Sequence, residues 1–165
     1  MFMNPRRSAL ALALALPASL LLGPAQPAAA FGGHTVTVTG GIVLNDDEGD
    51  FDNPSQSGID FTRKMGLTHL APSSSIFVSY CHGDEVRGEF TVTATLQAND
   101  DVVWQPHLKL YEGASCDTSD LDGELSGQFR TLPPNFHQEA RIFVPNSDEG
   151  GDWASVRYDV IHDVA

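Results

Sequence analysis

The residues Glu89-Phe90-Thr91-Val92-Thr93-Ala94-Thr95-Leu96 alternate polar and apolar without a break. In an extended strand this puts Phe90, Val92, Ala94 and Leu96 on one face and the three threonines on the other. A helix would scatter the same residues around its circumference. Before this run comes the apolar Ile76-Phe77-Val78-Ser79-Tyr80-Cys81 and a turn-like His82-Gly83-Asp84-Glu85. After it come a polar turn, Gln97 to Asp101, then Val102-Val103-Trp104 and His107-Leu108-Lys109-Leu110-Tyr111. The stretch from Ile76 to Cys116 therefore reads as consecutive strands bracketed by the only two cysteines of the chain.

The same period of two recurs outside that stretch. Thr35-Val36-Thr37-Val38-Thr39 alternates β-branched residues, Gly40-Gly41 permits a bend, and Ile42-Val43-Leu44 can continue the strand. Ile59 to Thr62, Gly127 to Arg130 and Ala140 to Val144 are short strand candidates, with a weaker one at Leu67 to Leu70. Near the end Val156, Tyr158 and Val160 face one way, and Ser155, Arg157 and Asp159 the other. Apolar residues nowhere recur at helical spacing over a dozen positions. Seven to nine short strands separated by Gly/Pro/Asp loops predict an all-β chain, an antiparallel β-sandwich. Greek-key, jelly-roll and immunoglobulin- or C2-like orders all fit the pattern.

The first thirty residues read as a cleaved leader. Arg6 and Arg7 form a basic start, Ala9 to Leu22 an apolar run interrupted by Pro17, and Ala28-Ala29-Ala30 the small residues that a signal peptidase reads. The run is shorter than the ~20 residues that span a bilayer, so no membrane span is expected after cleavage. Arg6-Arg7 matches a twin-arginine signal loosely. Cleavage after Ala30 leaves residues 31–165 as a single secreted domain, extracellular or in the cell envelope. In such a compartment Cys81 and Cys116 are expected to pair as one structural disulfide. No Cys-x-x-Cys spacing points to redox chemistry.

Charge narrows the partners. The chain has 22 acids against 9 Lys and Arg, a net charge of −13; −13 less the two leader arginines gives −15. Such a surface repels a polyanion, which argues against nucleic acid and anionic lipid and favours cations. The acids concentrate in three loops. Asp46, Asp47, Glu48, Asp50 and Asp52 lie in the first, within the long polar segment Asn45 to Gly58. Asp117, Asp120 and Asp122 lie in the second, and Asp148, Glu149 and Asp152 in the third. Ca²⁺ takes six to eight oxygen ligands, so convergent loops at one end of a sandwich make these residues candidate calcium ligands. None fits the twelve-residue EF-hand spacing. Sandwich strands with acidic loops resemble C2-like and other calcium-binding sandwiches, a likeness of fold that does not fix function.

Motifs of catalysis are sparse. His82, Asp84 and Glu85 form a polar cluster beside Cys81 that offers acid–base or metal-ligating groups. The remaining histidines, His34, His69, His107, His137 and His162, are dispersed and form no His-x-x-x-His or His-Glu-x-x-His pair. No Gly-x-Ser-x-Gly elbow is present. Trp104, Trp153, Phe136 and Tyr111 are possible sugar platforms, with core packing expected of both tryptophans. The sequence thus favours a non-catalytic secreted module that binds an unidentified protein or glycan. An inhibitor presenting the Asn45–Gly58 segment, or a small exported hydrolase using carboxylates, are the alternatives.

Overall fold

The computed structural model describes residues 33–47, 55–148 and 151–165. The expected leader, residues 1–30, lies outside them. Among the described residues there are nine strands and no helix, so no helix is long and apolar enough to cross a membrane. The strands are β1 (His34–Asp46), β2 (Ser55–Leu67), β3 (Ser73–His82), β4 (Val86–Leu96), β5 (Val102–Tyr111), β6 (Leu121–Ser126), β7 (Arg130–Leu132), β8 (Phe136–Pro145) and β9 (Trp153–Val164).

They form two antiparallel sheets, one of order β2-β1-β9-β8 and one of order β3-β4-β5-β6, with β7 pairing the first residues of β5. The chain takes none of the Greek-key, jelly-roll or immunoglobulin- and C2-like orders named from its alternation but a plain meander. β2 packs near β3 at one side, β6 and β7 near β8 at the other, and β9 closes against β1. Apart from β6 and β7, which share one edge of β5, each strand neighbours those next to it in sequence, and the sandwich is a flattened ring.

Alternation sends the expected residues inward. Phe90, Val92, Ala94 and Leu96 of β4, Leu108 and Leu110 of β5, and Val156, Tyr158 and Val160 of β9 are all buried. Trp104 is fully buried, and its ring meets Tyr158 edge-on at 5.8 Å; Tyr158 in turn lies 4.9 Å from Phe90, and Phe90 5.8 Å from Phe61. This aromatic column joins the two sheets, and each ring contact adds roughly 0.5–1.5 kcal/mol beyond the buried area. Cys81 and Cys116 form the disulfide, with Cα atoms 5.9 Å apart, tying the end of β3 to the loop after β5.

Several elements differ from the expectation; the strand candidate at Leu67 to Leu70 ends where β2 does, at Leu67, and continues as a tight turn. β2 runs far longer than Ile59 to Thr62, because Ser55 to Gly58 and Arg63 to Leu67 pair residue by residue with β1 despite their polarity. Half of the second acidic loop is strand β6, a sheet-edge strand in which Asp122 is buried while Glu124 and Ser126 are exposed. The strand expected at Gly127 to Arg130 begins only at Arg130.

Candidate functional site

The described residues of the acidic loops and of the His82–Glu85 turn gather at one end of the sandwich. His82, Asp84 and Glu85 occupy the β3–β4 turn, where Gly83 (φ 66°) and Asp84 (φ 63°) both take the left-handed conformation that glycine and aspartate tolerate. His82 Nε2 lies 2.7 Å from Ser55 Oγ, while Asp84 and Glu85 are exposed. The Gly83 backbone abuts the Asp46 carboxylate. The described residues of the three acidic loops do meet here, through backbone as much as side chain. The Asp47 N–H donates to Asp152 Oδ1 (2.6 Å), the Glu112 N–H to Asp122 Oδ2 (2.7 Å), and the Ser147 N–H to the Asp122 carbonyl (2.8 Å). Asp46, Asp122 and Asp152 are buried, and Asp117, Asp120 and Asp148 are exposed on the loop surfaces. Asp50, Asp52 and Glu149 lie outside the described residues. Among the described residues these carboxylates form no group of three ligand atoms within metal-binding reach of one another.

The opposite end carries a cluster that residue spacing did not announce. β1 spans twelve residue steps from His34 to Asp46, roughly 40 Å at ~3.3 Å each. At its far end His34, His69 and Asp100 offer ligand atoms that all lie within 4.8 Å of one another. His34 opens β1 and His162 lies in β9, diagonal to it on the inward face. His69 sits in the tight β2–β3 loop held by reciprocal hydrogen bonds between Thr68 and Ala71. Asp100 ends the β4–β5 turn at φ 67°. The three line a cleft of about 590 Å³ shared with Thr68, Leu70, Pro134, Asn135 and Val164. One sequence signal could have found half of this cluster. His34 continues the inward phase of Val36 and Val38, and His162 that of Val156, Tyr158 and Val160.

A third feature is the outer face of the β2-β1-β9-β8 sheet. Gly40 and Gly41 floor an open cleft of about 700 Å³ whose walls include Val43, Asp60, Thr62, Glu139, Arg157 and Asp159. Val43, Ser155 and Phe143 lie in one row across the sheet, so Phe143 stands on the cleft's face. Its ring pairs with that of Trp153 at 5.6 Å, and Phe143 is 42% exposed. Arg157 bonds Glu139 (3.1 Å) and His137 Nδ1 meets Asp159 Oδ2 (3.2 Å). Asp159 Oδ1 has no hydrogen-bond partner among the described residues. Trp104 belongs to the core, as expected of it, whereas Trp153 is half-buried on this outer face.

No protein-family model matches the chain, and no curated protein matches it.

Proposed function

We propose that this chain is an exported, non-catalytic β-sandwich module that binds a glycan on the outer face of its β2-β1-β9-β8 sheet. The observation that carries the reading is the Phe143–Trp153 ring pair, set in line with a glycine-floored cleft walled by carboxylates and an arginine. A sugar presents an apolar C–H face to stack on rings and a rim of hydroxyls that donate to carboxylates and accept from guanidinium. Both needs are met side by side here. Export is supported by the leader-like first thirty residues and fits a chain with a disulfide. The reading does not depend on calcium at the acidic end.

The test is binding of the protein to a panel of soluble polysaccharides by affinity electrophoresis and calorimetry. Trp153→Ala and Phe143→Ala should each weaken binding roughly two- to tenfold, from the ~0.5–1.5 kcal/mol of a ring contact, with little change in thermal midpoint. Absence of binding across the panel, or binding indifferent to both substitutions, overturns the reading. Release of new reducing ends would favour the hydrolase alternative instead.

A further inference from the structure

We infer that His34, His69 and Asp100 form a binding site for a divalent transition ion of the zinc type, with His162 as the residue that positions His34. The argument begins with hydrogen-bond donors. His162 is fully buried, and its Nδ1 lies 3.2 Å from the Leu132 carbonyl, which can only accept. His162 Nδ1 therefore carries a hydrogen, and in the neutral ring Nε2 is an acceptor. That Nε2 lies 2.9 Å from His34 Nδ1, so His34 must donate from Nδ1. The neutral His34 ring then has a bare Nε2, and this nitrogen faces Asp100 Oδ1 at 3.4 Å. Two neutral rings supply two hydrogens, and the path from Leu132 to Asp100 has three contacts. The last one sets lone pair against lone pair, and a cation between them resolves it.

The geometry suits a metal ion. Ligand arms of about 2.0–2.1 Å on a tetrahedral centre put neighbouring ligand atoms about 3.3–3.4 Å apart. The His34–Asp100 separation, 3.4 Å, matches that edge, while His69 Nε2, 3.0 Å from the same Oδ1, makes a direct hydrogen bond that an entering ion would replace. His34 is also held as metal-binding histidines are, its second ring nitrogen donating to a fixed partner. Two imidazole nitrogens and one carboxylate suit zinc or copper and are a poor set for calcium, which takes oxygen. The supports are stiff: His69 sits in a closed loop, and Asn135 N–H bonds the His162 carbonyl at 2.7 Å. All three ligands line the cleft, so an ion held there keeps a face open to it.

The test is titration of the untagged, disulfide-intact chain with Zn²⁺ in competition with a chromophoric chelator, followed by Co²⁺ absorption. One ion per chain is expected, with the ligand-field bands of a low-coordinate nitrogen–oxygen site, and no displacement by excess Ca²⁺. His69→Ala and Asp100→Asn, both at the surface, should each lower affinity at least tenfold while leaving the fold intact. His162→Gln, which alters only the support, should lower it roughly 10- to 100-fold. Because the His162 change could disturb the core, the two surface substitutions decide. No uptake of an ion means that a proton bridges His34 and Asp100 instead, and the proposal falls. Binding unchanged in His69→Ala and Asp100→Asn would also overturn it, and would assign the ion to His107 beside Glu124 or His137 beside Asp159. Polysaccharide binding is read separately on the outer face, so either result stands without the other.

Discussion

Gly40 on β1 stands directly opposite Tyr158 on β9, and the β9 backbone fills the space that a side chain at Gly40 would need. A Cβ there would lie 2.8 Å from the Tyr158 Cα and closer still to the Arg157 carbonyl. Backbone cannot swing aside as a flexible side chain can. Gly40→Ala is expected to destabilise the fold by about 1–3 kcal/mol, the usual range for overpacking. Urea unfolding of the variant should show a lowered midpoint with an unchanged slope.

Tyr158 makes the fold sensitive to alkali. Burial pushes its phenol from the ordinary 10.0 up to about 12, with Arg130 pulling slightly the other way. The folded chain holds this proton more tightly than the unfolded chain does. The resulting stability, roughly 2–3 kcal/mol, is fully present below pH 10 and is lost as pH rises through about 12. Stability measured across that window should fall in the parent and fall less in Tyr158→Phe. Equal slopes in the two proteins would refute the assignment.

The acidic end separates structural from surface carboxylates. Asp122, itself buried, accepts a half-buried backbone N–H from Glu112, whereas Asp120 is exposed. Asp122→Ala should cost about 1–3 kcal/mol, the desolvation penalty of a stranded donor. Asp120→Ala should stay within about 0.5 kcal/mol of the parent. Paired chemical denaturation curves distinguish the two, and similar losses would mean that Asp122 does no more than Asp120.

The disulfide closes a loop between residues 35 positions apart. On the chain-entropy estimate it contributes about 3–4 kcal/mol. Cys81→Ser with Cys116→Ser should therefore lower the thermal midpoint by on the order of ten degrees while leaving the strand signal in circular dichroism intact. An unchanged midpoint would mean that the loop is already confined by its other contacts, such as Arg87 with the Cys116 carbonyl.

Strands buried on one face were plain in the sequence. Phe90 to Leu96 and Val156 to Val160 carry their phase in side-chain polarity alone, and all their apolar members face the core. β6 was hidden because, among its residues, just Asp122 is buried, so no apolar alternation marks it. The histidine cluster was half legible, since His34 and His162 occupy inward positions of two recognisable strands. His69 and Asp100 could not be placed that way. They belong to turns, and their meeting depends on how the β2–β3 and β4–β5 connections stack, which local polarity does not encode.

The ring of strands is sealed where β1 meets β9, a seam that joins residues as far apart as His34 and His162, 128 positions along the chain. A ribosome delivers His162 128 residues after His34. Until β9 is made, one long edge of β1 has no partner strand within its own chain. An open edge is a template for any strand that arrives first, including the β1 or β9 of a neighbouring copy. The interval between the making of β1 and of β9 is thus when the newborn chain is most open to mispairing, and its safety rests on whatever shields that edge until the seam shuts.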